Sequence, residues 1–290
     1  MNTVVLGSVT TDRIVQGGRA VEKVGGVATY AGLTYRRHGL PVTVVTNLAA
    51  GDAGMLAVLE RRGVRCMVGP SEATTRFVNR VDGDDRRQEM PAAAAPIPAA
   101  LARPALEDAR LIHLGPLHPH AFAPDLWPLV AAHDALAALD VQGYTRRAVH
   151  GVIEPHVDPS VAEALAAVGF VKADPDELAA VLAALALDLP SLMTRFDLRE
   201  VVVTEGRKGG CVYERSGRRF PYAAAPVARV VDPTGAGDVF FAAYLAARLH
   251  EGRDLPEACA HAAETAARQV EGHYLPEADL RRDLPIPKRT

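Results

Sequence analysis

From Val231 to Asp238 the chain reads Val-Asp-Pro-Thr-Gly-Ala-Gly-Asp, placing two glycines and a carboxylate between an apolar run and a helical pattern. Val227 to Val231 is β-branched in character, whereas Val239 to His250 is rich in helix formers with apolar residues every three to four positions. The spacing predicts a strand feeding a tight turn that opens a helix. The first N–H groups of a helix lack intrahelical partners and carry the positive end of its dipole, and glycines let an anion approach them. A carboxylate repels a phosphate, so Asp238 is placed instead to take a proton from an attacking hydroxyl. The amides of Gly235, Ala236 and Gly237 would then stabilise a transferring phosphoryl group. The plainer alternative is a helix start capped by Thr234 or Asp232, with Asp238 complementing the dipole. No GxxxxGK[ST] loop occurs, no GxGxxG follows a predicted strand and no GxSxG is present, so the sequence supports neither a P-loop enzyme, a Rossmann dehydrogenase nor an α/β-hydrolase.

The elements that must position these residues follow an alternating plan. Apolar strands are expected at Val4 to Gly7, Val42 to Thr46, Leu111 to Leu114, Ala137 to Val141, Gly169 to Lys172 and Glu200 to Thr204. Helical spacing is found at Ala28 to His38, Ala53 to Arg62, Leu126 to His133, Ser160 to Ala167 and Glu177 to Ala186. This is an α/β chain with a mostly parallel sheet and helices on both faces. Gly210 to Glu214 and Arg218 to Tyr222, bridged by Arg215-Ser216-Gly217, read as an antiparallel edge. Helices near Pro256 to Glu271 close the C-terminal end, and a loose tail is expected from Leu284. Thr74 to Val81 and Arg86 to Met90 break the alternation: they are extended, polar at alternate positions and joined by Asp82-Gly83-Asp84-Asp85, a hairpin signal. With Thr10 to Val24 they would form a small β-lid over a substrate, or else a solvated hairpin.

At 290 residues the chain fits one α/β domain spanning 1–290, with lid segments at about 10–24 and 74–90. A formal net charge of −3 with scattered arginines argues against nucleic acid as a partner. Met1 leads directly into Thr3-Val4-Val5-Leu6 without a basic leader, and no later apolar run is long enough to span a membrane, so a cytoplasmic location is expected. Cys66, Cys211 and Cys259 are far apart and odd in number, which suits reduced core thiols. His113, His118 and His120 cluster in HLGPLHPH, but a proline-broken loop without a cysteine or carboxylate frame is a poor metal site.

The string from Asp232 to Asp238 resembles the DTxAGD signature of the ribokinase-like (PfkB) family of carbohydrate kinases, with Pro233 and Gly235 among the variants of that pattern. The resemblance implies a three-layer α/β/α fold with a β-lid, Asp238 as catalytic base, and Gly235, Ala236 and Gly237 as the anion hole. Gly7-Ser8 with Asp12, followed by Gly25-Gly26-Val27-Ala28-Thr29-Tyr30-Ala31, is similar to the family's first signature. There an aspartate and a GG turn grip sugar hydroxyls; Tyr30 stands where the pattern has asparagine. Thr204-Glu205-Gly206-Arg207-Lys208-Gly209 resembles the family's TxGxxG loop, which would bring Thr204, Gly206 and Gly209 to ATP; the alternative is an ordinary turn. Lys172 to Glu177 resembles the KxNxxE segment that holds Mg²⁺ through water, with Asp174 in place of asparagine. Without the family, Asp174 and Glu177 read as an N-cap and its capping-box partner.

Asp140-Val141-Gln142-Gly143-Tyr144-Thr145-Arg146 ends a predicted strand, where open α/β sheets bind ligands. Asp140 and Gln142 flank Val141 and would face one side to read hydroxyls, with Arg146 beside them; the alternative is a strand end with a solvated arginine. This string, with GGVATYAG, is closer to the myo-inositol kinase branch than to ribokinase or fructokinase. The expected activity is ATP-dependent phosphorylation of a small sugar or cyclitol. A nucleoside kinase, with Tyr30 or Phe77 stacking on a base, remains open. So does a sugar-phosphate kinase using Lys23, Arg76, Arg80 and Arg146, and so does a sensor without chemistry. The resemblance also leaves open a monovalent cation site that includes Asp232, and a homodimer formed through the lid.

Overall fold

The computed structural model describes residues 1–82 and 85–281. The tip of the expected hairpin, Gly83 and Asp84, and the tail from Leu284 lie outside the described residues. Strands β1 (Thr3–Gly7), β2 (Thr10–Gln16) and β3 (Arg19–Gly25) lead into helix α1 (Val27–Arg37), then β4 (Val42–Leu48), α2 (Ala57–Glu60) and β5 (Arg65–Pro70). β6 (Arg76–Asp82) and β7 (Asp85–Ala92) precede α3 (Ala99–Leu106), β8 (Leu111–Gly115), α4 (Leu126–Ala131) and β9 (Leu136–Asp140). β10 (Arg146–Val149) and β11 (Val152–Pro155) are followed by α5 (Val161–Ala166), β12 (Phe170–Ala173), α6 (Pro175–Leu185) and α7 (Leu189–Arg195). The chain closes with β13 (Glu200–Thr204), β14 (Gly210–Glu214), β15 (Arg219–Tyr222), α8 (Ala236–Leu245), α9 (Leu255–Val270) and α10 (Glu277–Leu280).

Among the described residues the central sheet has nine strands in the order β15-β14-β13-β12-β9-β8-β1-β4-β5. It is parallel from β13 through β5, and β14 and β15 add the antiparallel edge expected from the sequence. Side chains alternate across a strand, so one strand feeds two cores. In β1, Val5 joins the core under α1, α8 and α9, whereas Val4 and Leu6 join the core under α3, α4 and α5. This is a three-layer α/β/α arrangement. A second sheet, in the order β10-β11-β7-β6-β2-β3, forms the lid.

Three expectations are corrected. The small lid expected from two segments is larger, because β10 and β11 extend it to six strands. They are joined through His150 and Gly151 at φ 50 and 82, the paired positive φ of a tight hairpin turn. Val227 to Val231 is not a strand: Val230 and Val231 are 66% and 51% exposed, and the N–H groups of Val231 and Asp232 both donate to the Val270 carbonyl at the end of α9. With a helix terminus satisfying its backbone, this segment needs no sheet partner. Ala53 to Arg62 is not one helix but a 3-10 stretch, Ala50–Leu56, followed by the single turn of α2. Gly51 and Gly54 weaken the α-helix there.

α8 is pinned to the sheet by a buried polar group. Tyr244 donates its hydroxyl to Glu200 on β13 at 2.6 Å, and Arg248 reaches Glu200 at 3.2 Å and Glu214 on β14 at 3.5 Å. No single helix is long and apolar enough to cross a membrane among the described residues.

Candidate active site

The start of α8 is built on Gly235, whose φ of 75 suits glycine and closes the turn Pro233-Thr234-Gly235. A Cβ at Gly235 would stand 2.5 Å from the ring of Tyr30, so the α1 tyrosine lies flat beneath the turn and supports it. Tyr30 is 1% exposed, and its hydroxyl is buried with no hydrogen-bond partner among the described residues. α1 itself starts at Gly26, with φ 87. Gly26 and Gly235 both line one cavity of about 430 Å³, so two helix N-termini open on the same space.

Asp238 lines that cavity from the first turn of α8. Removal from water raises its carboxyl to about 7; Asp140 adds to the rise, and Lys172 and Arg146 oppose it. Gly237 lies beside Lys172: a Cβ there would be 3.3 Å from Lys172 Cε and 3.4 Å from Nζ. Lys172 Nζ donates to Asp140 at 2.7 Å and also lines the cavity. Ala236 does not line it, and its N–H donates to the Pro233 carbonyl at 3.2 Å.

Across the cavity, Asp12 on β2 is 5% exposed and accepts a hydrogen bond from Thr10 at 2.7 Å. Burial raises its carboxyl, while Thr10 and Lys23 pull it down. A side chain at Gly25 would strike the Asp12 carboxylate, so this glycine clears room for it. Gln142 lines the cavity, but Asp140 is turned away, accepting from Lys172 and from the Gln142 N–H at 3.1 Å. The expected same-side pair is broken because the chain leaves β9 in a 3-10 turn, Val141–Tyr144, rather than continuing extended.

Arg146 opens β10 and fastens core to lid. It donates to the Leu117 carbonyl at 2.9 Å and to Gln88 at 3.1 Å, and its guanidinium lies 5.3 Å from the Phe77 ring centre. Gln88 in turn donates to Asn79 at 2.9 Å. Phe77, Asn79 and Gln88 line the cavity from β6 and β7. Asn79 and Gln88 were missed in the sequence, although RFVNR carries the signal: Phe77 and Asn79 alternate with the exposed Arg76 and Arg80.

Thr204, Gly206 and Gly209 lie outside the cavity, at the end of β13 and around the turn Gly206–Lys208. Gly209, at φ 90, is pressed against the chain after β15, where a Cβ would be 2.8 Å from the Ala224 nitrogen; around Gly206 there is open space. Asp174 and Glu177 form a reciprocal capping box on α6, with Glu177 N–H donating to Asp174 at 2.7 Å and Asp174 N–H to Glu177 at 2.8 Å. Burial raises the Glu177 carboxyl to about 7 against the pull of Lys172. Among the described residues no group of three His, Cys, Asp or Glu could hold a metal. His113 is a core residue, bonded to Tyr35 at 2.9 Å and lowered to about 4 by burial.

A family model described as pfkB family carbohydrate kinase matches residues 2–277. The chain belongs to this family. A cytidine kinase of Thermococcus kodakarensis is 29% identical over 286 residues, covering 93% of this chain and 96% of the relative. Among solved structures, a pyrophosphate-dependent kinase in the ribokinase family, complexed with a pyrophosphate analog and myo-inositol, is similar with a TM-score of 0.81 at 20% identity, covering 96% of this chain and 97% of that one. A Burkholderia thailandensis nucleoside kinase in complex with inosine gives a TM-score of 0.77 at 18% identity, covering 95% and 93%. This pfkB kinase therefore has the ribokinase-like fold and is a phosphotransferase of the carbohydrate and nucleoside kinase group.

Proposed function

We propose that this pfkB kinase transfers the terminal phosphoryl group of ATP to a hydroxyl of a neutral polyhydroxylated acceptor, a sugar or cyclitol, with myo-inositol the first to test. The observation that carries the reading is that Asp238, in the first turn of α8, lines one cavity with Gly235, Gly237 and the lid residue Asp12. Asp12 and Gln142 orient the acceptor, with Asn79 and Gln88 reading it from the lid. Asp238 takes the hydroxyl proton as the oxygen attacks phosphorus. The Gly235 and Gly237 backbone and the Lys172 ammonium offset charge on the phosphoryl oxygens. The Gly206 turn, open above and next to Thr204, is the proposed nucleotide contact. Mg²⁺ would neutralise phosphate charge, held through water by Glu177, whose Oε2 is taken by the Asp174 N–H and whose Oε1 is the remaining donor.

Neutrality of the acceptor is supported by the cations around the lid. Lys23 pairs with Asp232, Arg76 with Asp52 at 3.5 Å, Arg80 with Glu89 at 3.2 Å, and Arg146 is tied to Gln88 and Leu117. Of these four cations Arg146 alone lines the cavity, so a sugar phosphate would have to rely on it. A second reading, a nucleoside acceptor, is favoured by the likeness to a cytidine kinase and by the aromatic Phe77 on the cavity wall.

Product release is to be followed from Mg-ATP, and separately from pyrophosphate, against cyclitols, hexoses, ribose, nucleosides and sugar phosphates, with Asp238→Asn alongside. Turnover on a neutral polyol that is lost in the variant supports the reading. Turnover confined to nucleosides selects the second, and binding of acceptor and donor without turnover would identify a sensor.

A further inference from the structure

Lys23 lies on lid strand β3, yet its side chain is only 1% exposed because its ammonium is buried on the carboxylate of Asp232. That carboxylate is the group through which the family resemblance leaves a monovalent cation site open, and its surroundings do not fit a free ion. Oδ2 is held by Lys23 Nζ, and Oδ1 accepts the Thr234 N–H at 2.9 Å. We propose that the Lys23 ammonium is a built-in cation that positions the Asp232–Thr234 segment, and with it the Gly235 turn, so that turnover needs no K⁺ or NH₄⁺. The proposal rests on the phosphotransfer reading above.

The geometry makes the ammonium more than a surface tie. Lys23 stands directly opposite Asp12 in the β2–β3 pair, so both side chains leave the same face of the lid. One cation thus serves two enclosed carboxylates, and the charges of Asp12 and Asp232 work against each other without it. The segment it holds has few other restraints. On the α9 side the Val231 and Asp232 N–H groups reach Val270, and Gln269 donates to the Thr234 carbonyl at 3.4 Å; on the lid side Lys23 is the anchor. Three residues after Asp232 the chain makes the Gly235 turn and enters α8. A shift of the segment therefore carries directly into the amides that face the phosphoryl group. Because the lysine is rooted in the lid, its place on Asp232 also ties lid position to the donor side.

The test compares wild-type protein with tetramethylammonium as sole monovalent cation against the same ionic strength of KCl or NH₄Cl. Wild-type turnover is expected to agree within about twofold in all three. Activation by K⁺ of about tenfold or more would overturn the proposal. Lys23→Met is expected to lower kcat by about 10- to 100-fold with a smaller change in acceptor KM, the cost of a misplaced catalytic turn. KCl or NH₄Cl should restore part of that loss, and Lys23→Arg should keep turnover without added ion. Melting temperature gives a readout independent of activity: wild type should melt alike in K⁺ and tetramethylammonium, whereas Lys23→Met should gain several degrees in K⁺ alone. If Lys23→Met is slow and indifferent to every ion in both rate and melting, Lys23 is only structural and the proposal fails. If Lys23→Met does not fold, the wild-type and Lys23→Arg arms decide. Wild type inactive on every acceptor would instead overturn the phosphotransfer reading, while the melting arm would still report on the cation.

Discussion

In the proposed reaction most of the chemistry turns on Asp238, and its protonation gives two separable expectations. Replacing it by Asn should lower kcat by about 10²- to 10⁴-fold, the range for loss of a general base, with the fold intact by circular dichroism. Because the base works as a carboxylate and its pKa is raised to about 7, kcat/KM should fall as pH drops below that value; a profile flat down to pH about 5 would remove Asp238 from the role. The sign for stability is opposite. Between its ordinary 3.8 and about 7 the folded carboxyl keeps a proton that the unfolded chain has released, so this group's contribution is lost as pH rises through the window. Asp238→Asn should therefore gain melting temperature relative to wild type as pH is raised from about 4 to about 8. Glu177, raised likewise and facing the same Lys172 and Asp140, adds to the wild-type trend, so the difference between the two proteins reports Asp238 together with the groups that titrate with it. That Gly235, Gly237 and Asp238 stand together at one cavity was legible because all lie within one eight-residue string. That Lys172 lies against Gly237, or Tyr30 beneath Gly235, was not, since each contact joins residues far apart in the chain and depends on how β12 and α1 pack beside α8.

α8 carries the proposed base, and two devices fix it: the turn at its start and the hydroxyl near its end. Gly235→Ala asks for a Cβ at positive φ against the Tyr30 ring, which should cost about 1–3 kcal/mol and displace the first turn. Reduced melting temperature together with a much larger loss of kcat is the expected result. Tyr244→Phe removes the hydroxyl from Glu200 but leaves Arg248 in place, so about 1–3 kcal/mol of stability should go with only a small change in kcat, read by denaturant titration and initial rates. Periodicity foretold α8 and the strands of the central sheet except β5, whose residues Arg65 to Pro70 alternate too weakly between apolar and polar to read as a strand. It did not foretell β10 and β11, because their turn uses His150 before Gly151, and histidine at positive φ is a rarer hairpin signal than asparagine or aspartate. Nor did it show that Val227 to Val231 would lie on α9, since a β-branched run reads as a strand whatever satisfies its backbone.

At the level of the whole molecule, a nine-stranded sheet bears a smaller one, and residues of both line the cavity. Bound acceptor and donor should slow amide exchange in β6, β7 and β10 while leaving β1, β8 and β9 unchanged, as hydrogen exchange by mass spectrometry would show. Equal protection of both sheets would mean that the lid does not respond to ligand. The layered plan was readable from alternating strands and helices, whereas the full extent of the lid depended on pairings between distant strands. The groups assigned to chemistry stand on α8 and β12 in the core, while Phe77, Asn79 and Gln88 reach the cavity from the other sheet. Descendants of such a chain are free to acquire a new diet by rewriting a few lid side chains, inheriting the reaction itself unchanged.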